Sequence, residues 1–485
     1  MLYILYMKSI YTRRLSLSFI VLLMILPLFA GGSVEQVLAS PLPGGYTSQE
    51  SSADQISFDM ASLERLYRYV DSIYINEVDK EKMFNDLATA LVASLDDPYS
   101  FYVPPTEAKE YQEETSGVYG GIGTYLNKPV PENKDPSDPS TYMITIVSPF
   151  PGSPAQRAGL RAGDLISHIE GEAVDELTSY EASMLLRGEP NTPVTITVYR
   201  NGTSFDLTLV REMITTPTVD SGILEGDIGY IILSEFTPQT GKQLLEHVQK
   251  LMEEDIIGLI IDERNNGGGA VDGTMQAANI FLEEGKTLVT IQGKKGTRRD
   301  QRYISSGDPE VPLDLPIVIL TNTGSASSAE IFAAAMKDNN RATLIGTKTF
   351  GKGVVQDVFQ FGEGFAQVTT AHYYTPNGEN IHEKGIEPDI LVDDVELTDE
   401  EIPLFETLMT ENALSSYVKE NPEPTDENIR AFADQYKERG INEEILLLLI
   451  RNEYLSKMPY EDRPIADPIF DRQLRRAIEF IRSGS

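Results

Sequence analysis

The sequence predicts an α/β protein in which helices cover the strands of the main domain. Between about residues 213 and 394, apolar runs with the length of strands alternate with segments that have helical spacing. The strand-like runs 228–233 and 256–262 enclose the helical run 241–252, and three consecutive glycines follow at 267–269. Such an order is typical of α/β domains, whose ligand sites commonly lie in loops at strand ends.

Composition narrows the classes of function. The 485 residues carry a formal charge of −35, which disfavours nucleic acid and anionic membrane surfaces as partners. The chain has no cysteine, so disulfides, a cysteine nucleophile and thiolate metal sites are excluded. It also has no H-E-x-x-H motif and no P-loop, so we expect no metal and no nucleotide cofactor.

Residues 1–39 have the pattern of an export signal. Lys8, Arg13 and Arg14 precede an apolar run at 15–30, and Val37-Leu-Ala39 is a small-residue site of the kind that signal peptidase cuts. We therefore expect a protein exported across the cytoplasmic membrane, either periplasmic or extracellular. An uncleaved segment that tethers the protein to the membrane is the alternative.

Two further segments precede the second domain. Residues 40–57 are rich in Ser, Pro, Gly and Gln, which is typical of a flexible linker. Residues 58–115 form a predicted N-terminal helical region, because apolar residues recur there at helical spacing. These residues are Leu63, Leu66, Val70, Ile73, Met83, Leu87, Ala90, Leu91 and Leu95.

The segment 116–212 contains Tyr119-Gly-Gly-Ile-Gly123 and Ala158-Gly-Leu-Arg-Ala-Gly-Asp164. Both motifs resemble those of PDZ domains. The resemblance implies that backbone N–H groups of Gly120, Gly121, Ile122 and Gly123 capture the C-terminal carboxylate of a peptide. Arg187 lies where some related proteins couple the PDZ domain to an active site; an ordinary surface arginine is an equally good interpretation.

Two short motifs in the main domain indicate chemistry. Gly324-Ser-Ala-Ser-Ser-Ala-Glu330 follows a strand-like run and opens a helical one, so its serines lie where backbone N–H groups point outward. Phe350-Gly-Lys-Gly-Val-Val-Gln356 places Lys352 between two glycines. A serine becomes a nucleophile when a neighbour accepts its proton, and a lysine can do so if its pKa is lowered.

Two simpler interpretations compete with a Ser-Lys pair. Ser327-Ser-Ala-Glu330 fits the S-x-x-E capping box that starts many ordinary helices. A Ser-His-Asp triad would need His372 or His382, and each is flanked by strand-like residues. The combination of both motifs with the glycine loop favours catalysis by serine and lysine over either alternative.

Together with Asp262-Glu-Arg-Asn-Asn-Gly-Gly-Gly269 and Tyr374-Thr-Pro-Asn-Gly378, these motifs resemble the carboxyl-terminal processing peptidases, or tail-specific proteases. The resemblance runs from about residue 63 to about residue 392. It implies a crotonase-like (ClpP/crotonase-type) peptidase core at 213–394 with an inserted PDZ domain.

The same resemblance assigns roles to residues. It implies Ser327 as nucleophile, Lys352 as general base and Gln356 as the residue that orients the lysine. The backbone N–H groups of Gly268 or Gly269 and of Ser328 would form the oxyanion hole. Ser328-Ala329 reverses the usual order after the nucleophile, so Ser325 and Ser328 stay open as alternatives.

The chain departs from the family pattern at two more positions, both in the glycine loop. Glu263 replaces an apolar residue, which would put a charge at the end of a buried strand, and Gly267 replaces a proline. Because the expected oxyanion donors are backbone groups, changes of side chain in this loop need not disable them.

Residues 395–485 form a predicted acidic helical region. Its run Leu446-Leu-Leu-Leu-Ile450 needs burial, either on the peptidase or on a second copy of the chain, so we expect a homo-oligomer, most simply a dimer.

The sequence thus predicts an exported serine endopeptidase, free of metal and cofactor, that recognises unstructured C-terminal tails of protein substrates. A PDZ scaffold of the same fold that has lost catalysis is the main alternative. An acyl-CoA enzyme of the related crotonase fold is a weaker one, since it would have no use for a PDZ domain.

Overall fold

The computed structural model describes residues 60–128, 138–295, 300–395, 397–458 and 463–484. The predicted export signal and linker lie outside these residues. Two units make up the chain, Met1–Phe84 and Asn85–Ser485. Within the described residues, no helix is both long enough and apolar enough to cross a membrane.

The N-terminal unit contains helix α1 (Met60–Ile73), and helix α2 (Lys80–Ala93) begins in it. Both helices were predicted from apolar spacing and are confirmed. None of the residues of α1 is buried, and its apolar side chains at Leu63, Leu66 and Ile73 are exposed. The amphipathic pattern of α1 therefore has no apolar partner within this unit.

The PDZ-like region follows a short strand and a helix, β1 (Phe101–Val103) and α3 (Pro105–Ser116). Its strands form a curved antiparallel sheet in the order β3, β4, β5, β7 and β8, and β2 pairs with β9 where the chain enters and leaves. The elements are β2 (Val118–Gly121), β3 (Thr124–Asn127), β4 (Ile144–Pro149), α4 (Pro154–Arg157), β5 (Leu165–Ile169), β6 (Glu172–Ala173), α5 (Ser179–Leu186), β7 (Pro193–Arg200), β8 (Thr203–Val210) and β9 (Glu212–Thr215).

This region has a core of its own. Alternate residues of β4 and β7, such as Ile144, Ile146, Ile196 and Val198, are fully buried, as expected for strands with one face on the core. Leu186 of α5 packs in the same cluster. Strand β3 lies at the edge of this sheet and contacts α5, and an edge strand is where an added strand can pair.

The main domain contains two sheets. Its elements are β10 (Val219–Leu224), β11 (Ile228–Leu233), α6 (Thr240–Met252), β12 (Gly258–Asp262), α7 (Val271–Asn279), β13 (Thr287–Gly293), β14 (Gln301–Ile304), β15 (Ile317–Thr321), α8 (Ser328–Asp338), β16 (Thr343–Gly346), β17 (Val354–Phe361), β18 (Gly364–Tyr374) and β19 (Ile390–Leu391). The alternation of strands and helices predicted from the sequence is confirmed.

The larger sheet has the order β10, β11, β12, β15, β16 and β19, and only its first pair is antiparallel. Helices α6, α7 and α8 cover one face, where Leu244, Phe332 and Ile261 belong to one buried cluster. The central strands β12 and β15 are buried along their whole length, as expected for parallel strands covered on both faces.

The smaller sheet joins β1, β18, β13 and β14, with β17 paired to the other side of β18. It carries Gln356 on β17 and His372 on β18. Its pairing with β1 also fixes the preceding turn, Asp97 to Ser100, because the Ser100 hydroxyl accepts a hydrogen bond from Thr369 N–H at 2.9 Å.

The C-terminal region is helical, as predicted. Its helices are α9 (Ile402–Thr410), α10 (Ala413–Glu420), α11 (Asp426–Tyr436), α12 (Glu443–Lys457) and α13 (Arg472–Ser483). The apolar run at Leu446–Ile450 lies in α12 and packs against α10 and α11. The expectation that this run needs the peptidase or a second copy is therefore wrong, because neighbouring helices already bury it.

Helix α13 covers the second face of the larger sheet. Leu474, Ala477, Ile478 and Ile481 join one buried cluster with residues of β11, β12, β15 and β16. Gly258 on β12 makes room for this contact, since a Cβ there would lie 2.5 Å from Ile481 Cγ2.

Candidate active site

The predicted serine turn lies between β15 and α8, at the carboxyl end of a central parallel strand. Ser327 immediately precedes α8 and has φ 55° and ψ −116°, a conformation that costs a non-glycine residue about 1–3 kcal/mol. Its surroundings hold this strain, because Ser325 Oγ donates to Glu263 O at 2.8 Å and Ser328 Oγ donates to Gly269 O at 2.9 Å. The hydroxyls of these two alternative nucleophiles thus tie the serine turn to the glycine loop.

Ser327 and Glu330 are placed as in the capping box that the sequence allows. The hydrogen bond from Ser327 N–H to Glu330 Oε2 is 2.9 Å, and the two residues form a capping box. In such a cap the serine oxygen only accepts a hydrogen bond, so the hydroxyl proton stays available to a base.

Glu330 does more than cap a helix. Its buried carboxylate also accepts hydrogen bonds from Thr349 Oγ1 at 2.5 Å, Gly351 N–H at 2.7 Å and Lys352 N–H at 2.8 Å. Burial raises the pKa of Glu330, and these hydrogen bonds act in the opposite direction. One carboxylate oxygen thus holds the main chains of Ser327 and Lys352 side by side.

The Lys352 side chain points to the turn that precedes β1. Its Nζ lies 4.6 Å from the centroid of the Tyr99 ring, a distance at which an ammonium is attracted to an aromatic face. Burial lowers the pKa of Lys352, while the Asp97 carboxylate acts in the opposite direction. The lysine therefore has the depressed pKa that a general base needs, together with a neighbour that favours its charged form.

The described residues do not bring the predicted catalytic side chains into direct contact. No hydrogen bond joins Ser327 Oγ and Lys352 Nζ there, and the Gln356 amide donates to Val354 O at 3.4 Å and to Thr369 Oγ1 at 3.3 Å instead of contacting Lys352. Serine and lysine lie on adjacent loops, with the lysine side chain turned towards Tyr99.

The glycine loop lies against the serine turn, as the predicted oxyanion hole requires. A Cβ on Gly268 would lie 2.6 Å from Ala326 O and 2.7 Å from Ser327 Cβ. Gly268 N–H already donates to Asn266 Oδ1 at 2.9 Å. Within the described residues the N–H groups of Gly269 and Ser328 have no acceptor, so these two fit the role of oxyanion donors best.

The residues before the glycines are buried. Glu263 is 0% exposed, and neither of its carboxylate oxygens has a hydrogen-bond partner among the described residues. Burial raises the pKa of Glu263 well above its ordinary value, and the Asp262 charge adds to the effect. Both effects favour the protonated form of Glu263, which explains how an acid can lie buried at the end of β12.

The two histidines of the alternative triad lie next to each other. Their rings are 5.4 Å apart, and both Nδ1 atoms are buried without a partner among the described residues. With Tyr99 and Gly351 they line a cavity of about 680 Å³. No hydrogen bond joins either histidine to Ser325, Ser327 or Ser328 in the part of the chain that the structure describes, so the geometry does not support a triad.

The predicted carboxylate-binding loop begins in β2 and runs to the start of β3. Gly120 and Gly121 belong to β2 and pair with β9. The carbonyls of Ile122 and Gly123 accept bonds from Ala155 and Phe150. The N–H groups of Ile122 and Gly123 have no acceptor among the described residues, which is the arrangement that a terminal carboxylate needs.

Arg187 caps the end of α5, close to that loop. Its guanidinium stacks on Tyr119 at 4.5 Å and lies 3.8 Å from the Glu113 carboxylate of α3, while its Nε is buried without a partner among the described residues. The side chain is therefore built into the junction between the PDZ-like region and α3, unlike an ordinary surface arginine.

Two residues of this site could not be predicted, or were only partly predicted, from the sequence. Nothing local to Tyr99 indicates that its ring would meet a lysine more than 250 positions later. Glu330 was noted only as a cap, although its place in the serine motif was a usable signal. Among the residues that the structure describes, no group of three or more His, Asp or Glu side chains is placed to hold a metal ion.

Comparison with known proteins places the chain in a family. The model of peptidase family S41 matches residues 227–392, and a PDZ-domain model matches residues 145–200. The chain is 33% identical over 385 residues to the carboxy-terminal processing protease CtpA of Bacillus subtilis (strain 168), covering 78% of this chain and 77% of that protein.

A probable CtpA-like serine protease of Staphylococcus aureus (strain N315) is 35% identical over 336 residues, covering 69% of this chain and 65% of that relative. The chain thus spans slightly less than two thirds of the Staphylococcus protein. Among solved structures, the photosystem II D1 C-terminal processing protease has 29% identity and a TM-score of 0.40, covering 70% of this chain and 89% of that one. From the family model and the Bacillus relative, the chain belongs to peptidase family S41.

Proposed function

We propose that this protein is an exported serine endopeptidase that binds the C-terminal tails of protein substrates through its PDZ domain and cleaves them with Ser327 and Lys352. The catalytic part of this proposal rests on one observation, which is that Glu330 accepts hydrogen bonds from both Ser327 N–H and Lys352 N–H. A nucleophile and a base on different loops are thereby fixed to one carboxylate, opposite a glycine loop. A crotonase-like peptidase core is part of this proposal.

The first chemical step begins when neutral Lys352 leaves the Tyr99 ring and reaches the Ser327 hydroxyl. Lys352 takes the hydroxyl proton while Ser327 Oγ attacks the scissile carbonyl. The N–H groups of Gly269 and Ser328 stabilise the developing oxyanion, because preorganised donors in a buried site strongly favour the charge that forms there. Gly268 N–H would join them only after it leaves Asn266.

The remaining steps return the enzyme to its starting state. The Lys352 ammonium gives its proton to the leaving amine, which releases the C-terminal fragment and leaves an acyl-enzyme on Ser327. Lys352 then takes a proton from water, which attacks the ester, and gives that proton to Ser327 Oγ as the ester bond breaks, so that the N-terminal fragment leaves as an acid and both residues are neutral again. Gln356 would orient the lysine once its amide turns away from Thr369. The cavity beside Tyr99 offers room for a substrate side chain.

Substrate selection belongs to the PDZ domain in this proposal. A tail would add a strand along β3, with side chains directed towards α5, and its carboxylate would bind the N–H groups of Ile122 and Gly123. Gly120 and Gly121, also predicted as donors, are paired with β9 instead. Arg187 lies beside this loop and contacts α3. Binding of a tail to the PDZ domain would therefore be transmitted through Arg187 and α3 to the peptidase domain.

The proposal of export rests on the pattern of residues 1–39, which would place the catalytic domain beyond the cytoplasmic membrane, free or tethered.

We also propose a dimer, because the apolar residues of α1 are exposed and a second copy of the chain would cover them.

Cleavage of casein, a disordered protein, tests the proposed function. We expect the purified protein to cleave casein in the presence of EDTA, and Ser327→Ala and Lys352→Ala each to lower the rate by at least about 1,000-fold without unfolding the protein. Ser328→Ala is the comparison variant: it keeps the backbone N–H but loses the bond to Gly269 O that ties the serine turn to the glycine loop, so we expect a much smaller loss than in Ser327→Ala.

Each other result points to a definite alternative. Loss of cleavage in Ser328→Ala but not in Ser327→Ala would identify a different nucleophile. Absence of cleavage by the unaltered protein, even with a tail peptide present, would favour the inactive PDZ scaffold. That alternative is supported by the missing contact between Ser327 and Lys352 in the described residues.

A further inference from the structure

A buried ion pair connects the glycine loop to the C-terminal helix. Arg264 starts the loop that leads to the glycines, and its side chain is 16% exposed. Its guanidinium pairs with Asp262 at 2.6 Å and with Asp471, just before α13, at 2.8 Å. It also donates to Gln473 Oε1 at 3.2 Å. The arginine is thus held on one side by its own strand and on the other by a residue more than 200 positions away.

The C-terminal partner is itself rigidly placed. Asp471 caps α13 by accepting a hydrogen bond from Leu474 N–H at 2.9 Å. Gln473 is 1% exposed and donates to Val392 O at 2.9 Å. Because the apolar face of α13 packs on the larger sheet, Asp471 cannot follow a moving loop and instead holds Arg264 in place.

The loop between Arg264 and the glycines is anchored at further points. Ala326 N–H donates to Asn266 O at 2.9 Å, Phe236 N–H donates to Gly268 O at 2.8 Å, and Ser328 Oγ donates to Gly269 O at 2.9 Å. Asn265 has a φ of 63° and its N–H donates to Asn322 Oδ1 at 2.9 Å. Asn266 Nδ2 donates to Leu233 O, and Asn266 Oδ1 accepts from Gly268 N–H. These bonds hold the loop from the serine turn and from the end of β11, whereas Arg264 is the residue that ties the start of the loop to the C-terminal helix.

From these contacts we propose that Asp471 is a positioning residue for the oxyanion hole, and that the C-terminal helix α13 is an integral part of the active site. The inference rests on the proposed function and extends it beyond residues 227–392, the part that the family model matches. A small displacement of oxyanion donors is costly, because they act only at the geometry of the transition state.

Asp471→Asn tests the proposal with little disturbance of the helix, because asparagine caps helices about as well as aspartate. We expect kcat on a peptide substrate to fall at least about 10-fold with KM nearly unchanged; loss of an oxyanion donor altogether costs about 100-fold to 1,000-fold. Binding of a peptidyl boronate, whose tetrahedral adduct uses the oxyanion hole, should weaken in parallel with kcat.

Arg482→Gln is the matched control on the same helix. Arg482 forms exposed ion pairs with Glu225 and Asp227 at the far end of α13, so its loss removes a contact between helix and sheet without touching the glycine loop. A loss of kcat in Asp471→Asn no larger than that in Arg482→Gln would overturn the proposal. A rise in KM by the same factor as the fall in kcat would also overturn it.

Hydrogen exchange separates this proposal from the proposed function. In Asp471→Asn the amides of residues 265–270 should exchange faster than in the unaltered protein, whether or not the protein cleaves peptides. Faster exchange without any peptidase activity would reject the function and keep the structural coupling, whereas unchanged exchange rejects the coupling.

If Asp471→Asn fails to fold, Gln473→Met removes the weaker acceptor of Arg264 and should show the same pattern with a smaller loss of kcat.

Discussion

At the scale of single residues, the protonation state of Lys352 depends on neighbours that act in opposite directions. A lysine must be uncharged to take a proton from serine, and burial favours that form. The Tyr99 ring and the Asp97 carboxylate favour the ammonium instead. The charged lysine is thus held on Tyr99, and the neutral lysine loses that attraction and is freer to turn towards Ser327.

Replacing Tyr99 should therefore move the pH dependence of catalysis. Because only neutral Lys352 is active, kcat/KM should rise with pH through the pKa of Lys352 in the free enzyme. Tyr99→Leu removes the attraction for the ammonium, worth about 0.5–2 kcal/mol, so the rising limb should move to lower pH by about 0.4–1.5 units. The measurement is a profile of kcat/KM against pH with a short peptide.

Tyr99→Phe is the control for this substitution, since it keeps the aromatic face and should leave the rising limb in place. If the rising limb of the Tyr99→Leu profile keeps its position, or moves to higher pH, the role assigned to the ring is wrong.

At the scale of elements, the glycine loop and the serine turn are shaped to each other, and Gly268 is the point of closest approach. Its φ of 96° disfavours any other residue, and an added Cβ would meet Ala326 O and Ser327 Cβ. Gly268→Ala should cost about 1–3 kcal/mol of stability or displace the loop from Ser327. We expect cleavage to fall at least about 10-fold, as measured by initial rates on casein after thermal melting has shown that the variant folds.

Gly267, one residue earlier, offers a matched comparison. It is exposed, and a Cβ there would meet nothing within 4 Å. Gly267→Ala should leave cleavage intact and raise stability by about 0.4–1 kcal/mol, because alanine restricts the unfolded chain more than glycine does. Equal losses in both variants would show that the loop is sensitive for reasons other than this close approach.

Much of the element structure follows from local pattern, and the exceptions have a common cause. Strand β11 and helix α6 were predicted to within one residue, because their apolar spacing is strong. The partner of the run at Leu446–Ile450 was not, since it lies on separate helices whose docking no local pattern specifies. The same limit applies in the site: the motifs predicted which loops carry serine and lysine, but not that Lys352 would rest on Tyr99 or that Arg264 would pair with Asp471.

At the scale of the whole molecule, a continuous set of contacts leads from the PDZ domain to the catalytic loops. Arg187 beside the carboxylate-binding loop contacts Glu113 of α3, and Tyr111 of the same helix donates to Gln367 Oε1 on β18 at 2.5 Å. Two residues further along β18, Thr369 binds both Gln356 and the turn that carries Tyr99. The contacts give spatial continuity, and coupling along them requires a functional test.

A peptide with a free C-terminus supplies that test. If an occupied PDZ domain shifts α3 and β18, a peptide ending in an apolar residue should stimulate cleavage of a separate short reporter by at least about 5-fold, the lower end of typical coupling between sites. The same peptide with an amidated C-terminus is the control, because it cannot bind the N–H groups of Ile122 and Gly123 as a carboxylate does.

In Arg187→Met the peptide with the free C-terminus should still bind, as measured by fluorescence anisotropy, but its stimulation of cleavage should fall towards that of the amidated peptide. Full stimulation in Arg187→Met would exclude the arginine as the link, since the rest of the contact path would then carry the signal without it.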